Sequence, residues 1–253
     1  DRMSRKSGRY MEIYRQIGEL DAAVSIASFR ASLPVYCVPE FGDGKHIYME
    51  EVCHPLIGSP VGNTLDLKRS CLITGSNASG KSTFIKAVAV NAILAQSIYT
   101  CEARRFVMPQ SRVITSMAVK DDLVAGESYF IREIRYLRRI LDSLDEEKMT
   151  LCAIDEILRG TNTGERIRAS RAILEYLKDR NCLALVATHD RELTELLEKD
   201  YDNYHFSEEM GEDDICFTYQ ILPGPATSHN AIKLLEFAGF PEEIIDAAKE
   251  DGE

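Results

Sequence analysis

The chain has 253 residues, of which 45% are hydrophobic and 28% are charged, as in ordinary globular proteins. This length allows one sizeable hydrophobic core, and the hydrophobic content excludes an intrinsically disordered chain. The formal net charge of −11 argues against a broad DNA-binding surface, because contact with many phosphates requires a basic face.

Membrane insertion and disulfide chemistry are also disfavoured. No apolar run reaches the roughly eighteen residues of a membrane-spanning helix, so we expect no membrane contact. The seven cysteines are scattered, form no C-x-x-C pair and mostly stand in apolar runs. This pattern favours buried, reduced thiols and a cytoplasmic location. Because the chain opens with Asp1 in mid-pattern rather than with Met, we expect it to be an excised fragment of a longer protein.

The first predicted element is a long helix. Apolar residues follow helical spacing over 9–32, and two prolines and two glycines between 34 and 44 end this pattern. A short strand is predicted at 46–50. A loop rich in Gly, Pro and Asn is predicted at 54–64.

From residue 70 onward, apolar strands alternate with amphipathic helices. The predicted strands are 70–74, 150–154, 182–188 and 215–222, and the predicted helices are 81–98, 128–143, 165–179, 229–238 and 241–249. Strands separated by helices pair in parallel through right-handed crossovers. The predicted fold class is therefore α/β, with a mostly parallel central sheet flanked by helices. The acidic stretch 207–214 is predicted to be a solvated loop.

A phosphate-binding loop follows the strand at 70–74. Residues 75–82 match G-x-x-x-x-G-K-[ST] between an apolar strand and a helical pattern. In such a loop, backbone N–H groups and the helix N-terminus surround the phosphates, Lys81 reaches the β- and γ-phosphates, and Ser82 offers a hydroxyl to Mg²⁺. We therefore predict ATP or ADP and Mg²⁺ as cofactors; the alternative is a degenerate loop without turnover. The predicted phosphate-binding residues are Gly75, Ser76, Asn77, Ala78, Ser79, Gly80, Lys81, Ser82 and Thr83.

Two further strands end in residues suited to phosphate chemistry. The apolar run at 150–154 is followed by Asp155, predicted to hold Mg²⁺, and Glu156, predicted to be the general base. Alone, this pattern is equally that of a plain strand end, but the upstream phosphate loop favours the catalytic interpretation. His189 follows the strand 183–187. A lone histidine is usually structural, but at this place it could sense the γ-phosphate or position the attacking water. We therefore predict Lys81, Glu156 and His189 as the catalytic residues.

Five segments, in this order, resemble the ATPase domain of the MutS family of DNA-repair proteins, which belongs with the ABC-type ATPases. They are LITGSNASGKST, VKDDLVAGESYFIREI, LCAIDEILRGTNTGE, LVATHDREL and ILPGPATSHNAIKLLEFAGFPEEIIDAAK. The earlier stretch ELDAAVSIASFRASLPVYCVPEF resembles the helix that leads from the MutS core into that domain. The resemblance implies a P-loop NTPase fold in which 1–33 is a helical remnant of the core or lever domain and 34–253 is the ATPase domain. Within it, 223–253 resembles a dimerisation segment, for which an ordinary terminal helical pair is an equal alternative.

The resemblance also implies a homodimer with composite sites. Ser128 would contact the γ-phosphate of ATP bound to the partner, while Asp121 and Asp122, which precede it, could simply cap the next helix. Val61 and Asn63 resemble positions near the adenine. Residues 159–163 resemble a loop at the dimer interface, and a helix-capping turn is the alternative for them.

The function implied is that Mg·ATP closes two modules and its hydrolysis reopens them. This cycle would be coupled to the binding of DNA, at a mismatch or another aberrant structure, by domains outside the chain. However, residues 76–79 read S-N-A-S where mismatch-repair members typically carry Pro, Asn, Met and Gly, which indicates a divergent member. One alternative is a MutS paralogue acting on recombination intermediates or ribosomes. Another is a nucleotide-dependent interaction module with little hydrolysis, against which Glu156 counts.

Overall fold

A computed structural model describes residues 2–76, 78–117, 129–210, 215–226 and 239–250. Its first element is α1 (Arg2–Ser32), so the predicted long helix is confirmed and begins earlier than expected. Every residue from 8 to 25 is exposed, including apolar side chains such as Tyr14 and Leu20. Near the end of the helix, the Arg30 guanidinium donates hydrogen bonds to Thr100 Oγ1 at 2.8 Å and to the Tyr99 carbonyl at 2.9 Å. These bonds tie α1 to the rest of the molecule.

In the described part of the chain, ten strands form two sheets. The smaller sheet has the order β1-β5-β2-β3 and the larger one has the order β10-β9-β4-β8-β7-β6. The strands are β1 (Glu40–Phe41), β2 (Ile47–Val52), β3 (Asn63–Leu67), β4 (Cys71–Thr74), β5 (Arg105–Met108), β6 (Arg112–Ser116), β7 (Thr150–Asp155), β8 (Cys182–Ala187), β9 (Asp202–Met210) and β10 (Ile215–Pro223). In the larger sheet only the β10–β9 pairing is antiparallel. The predicted parallel pairing is therefore confirmed.

Helices cover both faces of the larger sheet. The described helices after α1 are α2 (Lys81–Ile98), α3 (Tyr129–Asp142), α4 (Thr163–Lys178), α5 (Arg191–Leu196) and α6 (Glu242–Glu250), and of these α2, α3 and α4 pack against the larger sheet. The central strand β8 is buried along its whole length. Leu183, Leu185 and Ala187 face a core shared with α2 and the smaller sheet, whereas the alternate residues of β8 face a core shared with α3 and α4. The predicted α/β fold class, a parallel-rich sheet flanked by helices, is confirmed.

Two sequence predictions are corrected. The loop predicted at 54–64 ends two residues early, since β3 begins at Asn63. The acidic stretch 207–214 is predicted to be a loop, but its residues 207–210 continue β9 and pair with β10, which satisfies their backbone groups despite the charged side chains. Residues 211–214 lie outside the described residues. The sequence pattern also missed β1, β3, β5, β6, the first part of β9 and α5. The predicted helix 229–238 lies outside the described residues.

The parallel pairing brings three strand ends together. Ile73 of β4 pairs with Ala187 of β8, which in turn pairs with Asp155 of β7. The carboxyl ends of β4, β7 and β8 therefore meet at one edge, where ligands bind in open α/β sheets. None of the described helices has the length and apolar character of a membrane span.

Candidate active site

The phosphate loop connects β4 with α2 and requires glycine at both ends. Gly75 has φ +138°, and a Cβ there would lie 2.6 Å from the carbonyl oxygen of Phe206. Gly80 has φ +112°, and a Cβ there would lie 3.2 Å from Cδ1 of Tyr219. Both conformations are ones that residues with a Cβ rarely adopt. The two glycines therefore bring the loop close to β9 and β10.

Lys81 is folded back onto this loop. Its ammonium donates hydrogen bonds to the carbonyl oxygens of Gly75 at 2.7 Å and Ser76 at 2.6 Å, and only 5% of the residue is exposed. Burial lowers the pKa of Lys81, while the nearby Glu156, Asp155 and Glu208 carboxylates oppose this shift. A cation is thus held at the centre of the loop, where a phosphate would be attracted.

Ser82 and Asp155 form the second part of the site. The Ser82 hydroxyl, in the first turn of α2, donates a hydrogen bond of 2.8 Å to Oδ1 of Asp155 at the end of β7. A hydroxyl and a carboxylate are oxygen donors of the kind that Mg²⁺ binds alongside water and phosphate. These two predicted metal ligands therefore lie together, and their chemistry fits the ion.

Glu156 and His189 form the third part. Oε1 of Glu156 lies 2.8 Å from Nε2 of His189, and Oε2 lies 3.0 Å from Nε of Arg159. The backbone of Glu156 has φ +62°, which is uncommon for residues other than glycine, and its N–H donates to the Ala187 carbonyl at 3.0 Å. The His189 hydrogen bond, assisted by the positive charges of Arg159 and Lys81, lowers the pKa of Glu156. The carboxylate is therefore ionised and able to accept a proton.

A pocket of about 350 Å³ adjoins the phosphate loop. Val61 and Asn63, predicted to lie near an adenine, both line it, together with Thr83. Its other lining residues are Val52, His54, Ile57, Ser59, Pro60, Gly80, Phe84, Ala87, Phe206 and Tyr219. The lining is mostly apolar with a few polar groups, which is typical of a site for a planar organic ring.

Comparisons with known proteins identify the family. The profile described as MutS domain V matches residues 71–253. The chain belongs to this family. Among its relatives is a DNA mismatch repair protein MutS from Natronomonas pharaonis, 35% identical over 253 aligned residues that cover 96% of this chain and 29% of the relative. DNA mismatch repair protein MutS 2 from Halobacterium salinarum is 33% identical over 99% of this chain and 30% of its own length. DNA mismatch repair protein MutS from Thermus thermophilus is 31% identical over 98% of this chain and 31% of its own length. This chain therefore spans about three-tenths of the length of these relatives.

Sequence analysis missed two aromatic residues of this MutS domain V. Phe206 of β9 and Tyr219 of β10 line the pocket, although they lie far along the chain from the phosphate loop. Asn63 positions the second of them: its side-chain amide donates to the Tyr219 carbonyl at 3.0 Å, and its Oδ1 accepts from the Ile221 N–H at 2.7 Å. The two alternating aromatics Phe217 and Tyr219 were the available signal, but alternation alone does not indicate which pocket a strand lines.

The loop 159–163, for which interface and capping interpretations were open, has clear local contacts. The Glu133 carboxylate of α3 accepts hydrogen bonds of 3.1 Å from the N–H groups of Arg159 and Gly160. Asn162 caps α4 by accepting a hydrogen bond of 3.0 Å from the Glu165 N–H. The capping interpretation is therefore confirmed, and a role at an interface stays a prediction.

Some of the remaining predicted site residues lie in the described part of the chain, and the others lie outside it. Ser76 donates a hydrogen bond of 3.0 Å to the Glu208 carboxylate, and Ser79 is fully buried with a hydroxyl that has no hydrogen-bond partner among the described residues. Ala78 has φ +68°, which continues the tight curvature of the loop. Asn77 and Ser128 lie outside the described residues, as do Asp121 and Asp122.

Proposed function

We propose that this chain binds ATP with Mg²⁺ and hydrolyses it, as the dimerising ATPase module of a MutS-like DNA-repair protein. One observation carries the proposal: Lys81, the Ser82–Asp155 pair and the Glu156–His189 pair lie at one sheet edge, beside a pocket of about 350 Å³. A cation, two metal-binding oxygens and a general base are the groups that phosphoryl transfer to water requires. Membership of the MutS domain V family supports the same activity.

The pocket and the phosphate loop would hold the two ends of the nucleotide. The adenine would enter between Tyr219 and the apolar residues near Val61. The triphosphate would then extend along the loop to the N-terminus of α2, whose N–H groups and partial positive charge attract it. In this arrangement the Lys81 ammonium exchanges its carbonyl partners for phosphate oxygens.

Ser82 and Asp155 would bind the metal, directly or through water. When bound, Mg²⁺ neutralises charge on the phosphate oxygens during transfer. The 2.8 Å hydrogen bond between the two side chains keeps both oxygens on the same side of the loop. Loss of either oxygen would therefore weaken binding of the metal–nucleotide complex more than binding of free nucleotide.

Glu156 would take a proton from the attacking water. Its lowered pKa keeps it ionised, and the 2.8 Å bond to His189 restricts its orientation. His189 is 38% exposed along its side chain, so it can also reach a bound phosphate or water. A general base and a positioning group at one edge of the sheet thus support turnover rather than nucleotide binding alone.

The wider assignments are proposals from the family resemblance. Ser128 would complete the partner's site, the loop 159–163 would lie at the interface, and 223–253 would bind the partner. Residues 1–33 would transmit motion between the ATPase domain, 34–253, and DNA-binding domains outside this chain. The relatives named above are DNA mismatch repair proteins, so DNA with a mismatch or another aberrant structure is the proposed target. A cytoplasmic location stays a prediction.

The solution mass of Glu156→Gln with and without Mg·ATP tests the composite dimer. We expect Mg·ATP to produce a dimer in this variant, because binding is retained while hydrolysis is slow. Ser128→Arg added to it should prevent the dimer, whereas Ser143→Arg, just beyond α3, should not. A monomer under all conditions, with normal ATP binding, would overturn the proposed dimerisation of this chain but leave its nucleotide site standing.

A further inference from the structure

The turn that carries His189 is fixed at its two ends. Before it, the Thr188 N–H donates to the Ile73 carbonyl at 3.0 Å, which extends the pairing of β8 with β4. After it, the Asp190 N–H donates to the Thr188 hydroxyl at 3.0 Å. His189 lies between these bonds, so the positions of residues 188 and 190 determine where its imidazole meets Glu156.

Asp190 is also held by a second element. Two nitrogen atoms of the Arg166 guanidinium contact the two carboxylate oxygens of Asp190, at 2.8 and 2.5 Å. The two side chains are 21% and 8% exposed. A bidentate pair fixes direction as well as distance, and partial burial reduces exchange of its partners with water. The pair therefore restrains the turn more firmly than a surface ion pair would.

Arg166 itself stands in the first turns of α4. Its N–H donates to the Asn162 carbonyl at 2.9 Å, and the Asn162 side chain caps the same helix. The guanidinium also lines a small pocket of about 140 Å³ together with Glu156, Arg159 and His189. One residue thus joins the start of α4, the turn 188–190 and the surroundings of the general base.

We propose that Arg166 is a positioning residue, whose ion pair with Asp190 holds the 188–190 turn so that His189 remains bonded to Glu156. Arg166 acts through Asp190 and His189 and does not itself contact a reacting atom. The inference rests on the function proposed above, because the same site performs hydrolysis. It predicts that breaking the pair slows the chemical step while ATP binding is retained.

A second ion pair of α4 provides the matched control. Lys178, at the last turn of the helix, contacts Asp200 at 2.9 Å, and the two side chains are 32% and 34% exposed. This pair also ties α4 to the segment between β8 and β9, but at the end of the helix away from Glu156. Lys178→Gln therefore removes an ion pair between two elements but leaves the Arg166–Asp190 pair, which restrains the 188–190 turn, intact.

Steady-state hydrolysis and ATP affinity of Arg166→Gln, Asp190→Asn and Lys178→Gln form the first test. We expect the first two to lower kcat roughly 10- to 100-fold, as small displacements of catalytic groups do, with the Kd for ATP within about twofold of the parent. Lys178→Gln should retain kcat. Arg166→Lys, which keeps the charge but loses the bidentate geometry, should have an intermediate kcat. Unchanged kcat in both Arg166→Gln and Asp190→Asn would overturn the proposal.

Nuclear magnetic resonance of ¹⁵N-histidine-labelled protein without nucleotide gives the second test. The chain has five histidines, and His189→Gln identifies the signal of residue 189. We expect Arg166→Gln to shift the His189 Nε2 signal in the direction that Glu156→Gln shifts it, and Lys178→Gln to leave it in place. An unshifted signal in Arg166→Gln would overturn the proposal, even with a low kcat. Because this measurement needs no turnover, it still decides the inference if the parent chain proves not to hydrolyse ATP, a result that would refute the proposed function alone.

Discussion

The two halves of the proposed nucleotide site, a phosphate side and a base side, are built in different ways. The phosphate side consists of the loop 75–82 with Asp155, Glu156 and His189, and charged hydrogen bonds of 2.6 to 3.0 Å hold it together. The base side is named for the adenine base of the nucleotide, not for the general base Glu156. It is the pocket of about 350 Å³ between Val61 and Tyr219, which is lined mostly by apolar residues. Ligand binding on the phosphate side depends on charge and hydrogen-bond geometry, whereas ligand binding on the base side depends on the shape of the pocket.

This difference separates two kinds of binding energy. Charged hydrogen bonds to phosphate act on any polyphosphate, whereas an apolar pocket acts only on a ligand with a base. Inorganic tripolyphosphate and ATP therefore form a pair of probes that distinguishes the two sides. Together with the rate of hydrolysis, the affinities for these two probes show which side of the site a substitution affects.

Lys81→Ala should have the largest effect, because it removes the buried cation of the loop. We expect affinity for both ATP and tripolyphosphate to fall by more than roughly 100-fold, since each charged hydrogen bond lost costs about 1.5–3 kcal/mol. Isothermal titration calorimetry measures both ligands. Lys86→Ala, later on α2 and partly exposed, is the control. If ATP binds Lys81→Ala as tightly as the parent, the phosphate side is wrongly assigned.

Glu156→Gln should separate catalysis from binding within the phosphate side. Removal of the general base should slow hydrolysis about 100-fold or more, while ATP affinity stays within a few-fold of the parent. A phosphate-release assay in single-turnover conditions gives the rate. The exposed Glu192 of α5 offers a matched carboxylate, and Glu192→Gln should hydrolyse ATP normally. Normal turnover in Glu156→Gln would show that another group activates the water.

Tyr219→Ala should affect the base side alone. Loss of an aromatic ring that stacks on a nucleotide base costs on the order of 1–3 kcal/mol of binding free energy, so we expect ATP affinity to fall about 10-fold or more. Tripolyphosphate affinity should not change. Tyr176→Ala, on the exposed face of α4, is the control for loss of a tyrosine. Equal weakening of both ligands would mean that Tyr219 supports the phosphate loop, which it approaches at Gly80, rather than the base.

Val61→Ala should have the smallest effect. The side chain lines the pocket but is 37% exposed in the absence of ligand, so its loss removes little apolar contact. We expect about a threefold weaker Kd for ATP and no change for tripolyphosphate. Competition titrations against a fluorescent ATP analogue resolve such a difference. A larger loss than that of Tyr219→Ala would place the base nearer to β3 than to β10.

The parts of the fold that were predictable from sequence are those with strong local patterns. The helix 81–98 and the strand 70–74 were predicted within one residue of their ends, because a glycine-rich loop separates a continuous apolar run from a helical pattern. The strand β9 was missed because its charged residues, such as Glu208, conceal the alternation of Phe206 and its neighbours. Pairing with β4 and β10 stabilises that strand, and such pairing cannot be read from the segment itself.

The residues of the candidate site also differ in how far they were predictable from the sequence. The positions of Lys81, Ser82, Asp155 and Glu156 follow from two local motifs, and parallel pairing then brings these motifs together. The alternation of Phe217 and Tyr219 could not assign Tyr219 to the pocket, because its place beside Gly80 depends on the fold of β10 over the loop. The contact of Arg166 with Asp190 was likewise unpredictable, since the two residues are 24 positions apart on different elements.

The α/β class, the phosphate loop and the candidate residues of the phosphate side are predictable from the sequence alone. These features depend on neighbouring residues, since glycines permit the tight loop and an apolar run followed by carboxylates ends a buried strand. The tertiary structure was needed to bring Tyr219 to the base side, where the Asn63 side chain donates to the Tyr219 carbonyl across 156 positions of the chain. It also decided the restraint of His189 through Arg166. Contacts of this kind arise from packing of distant elements, and no local periodicity encodes which surfaces will meet.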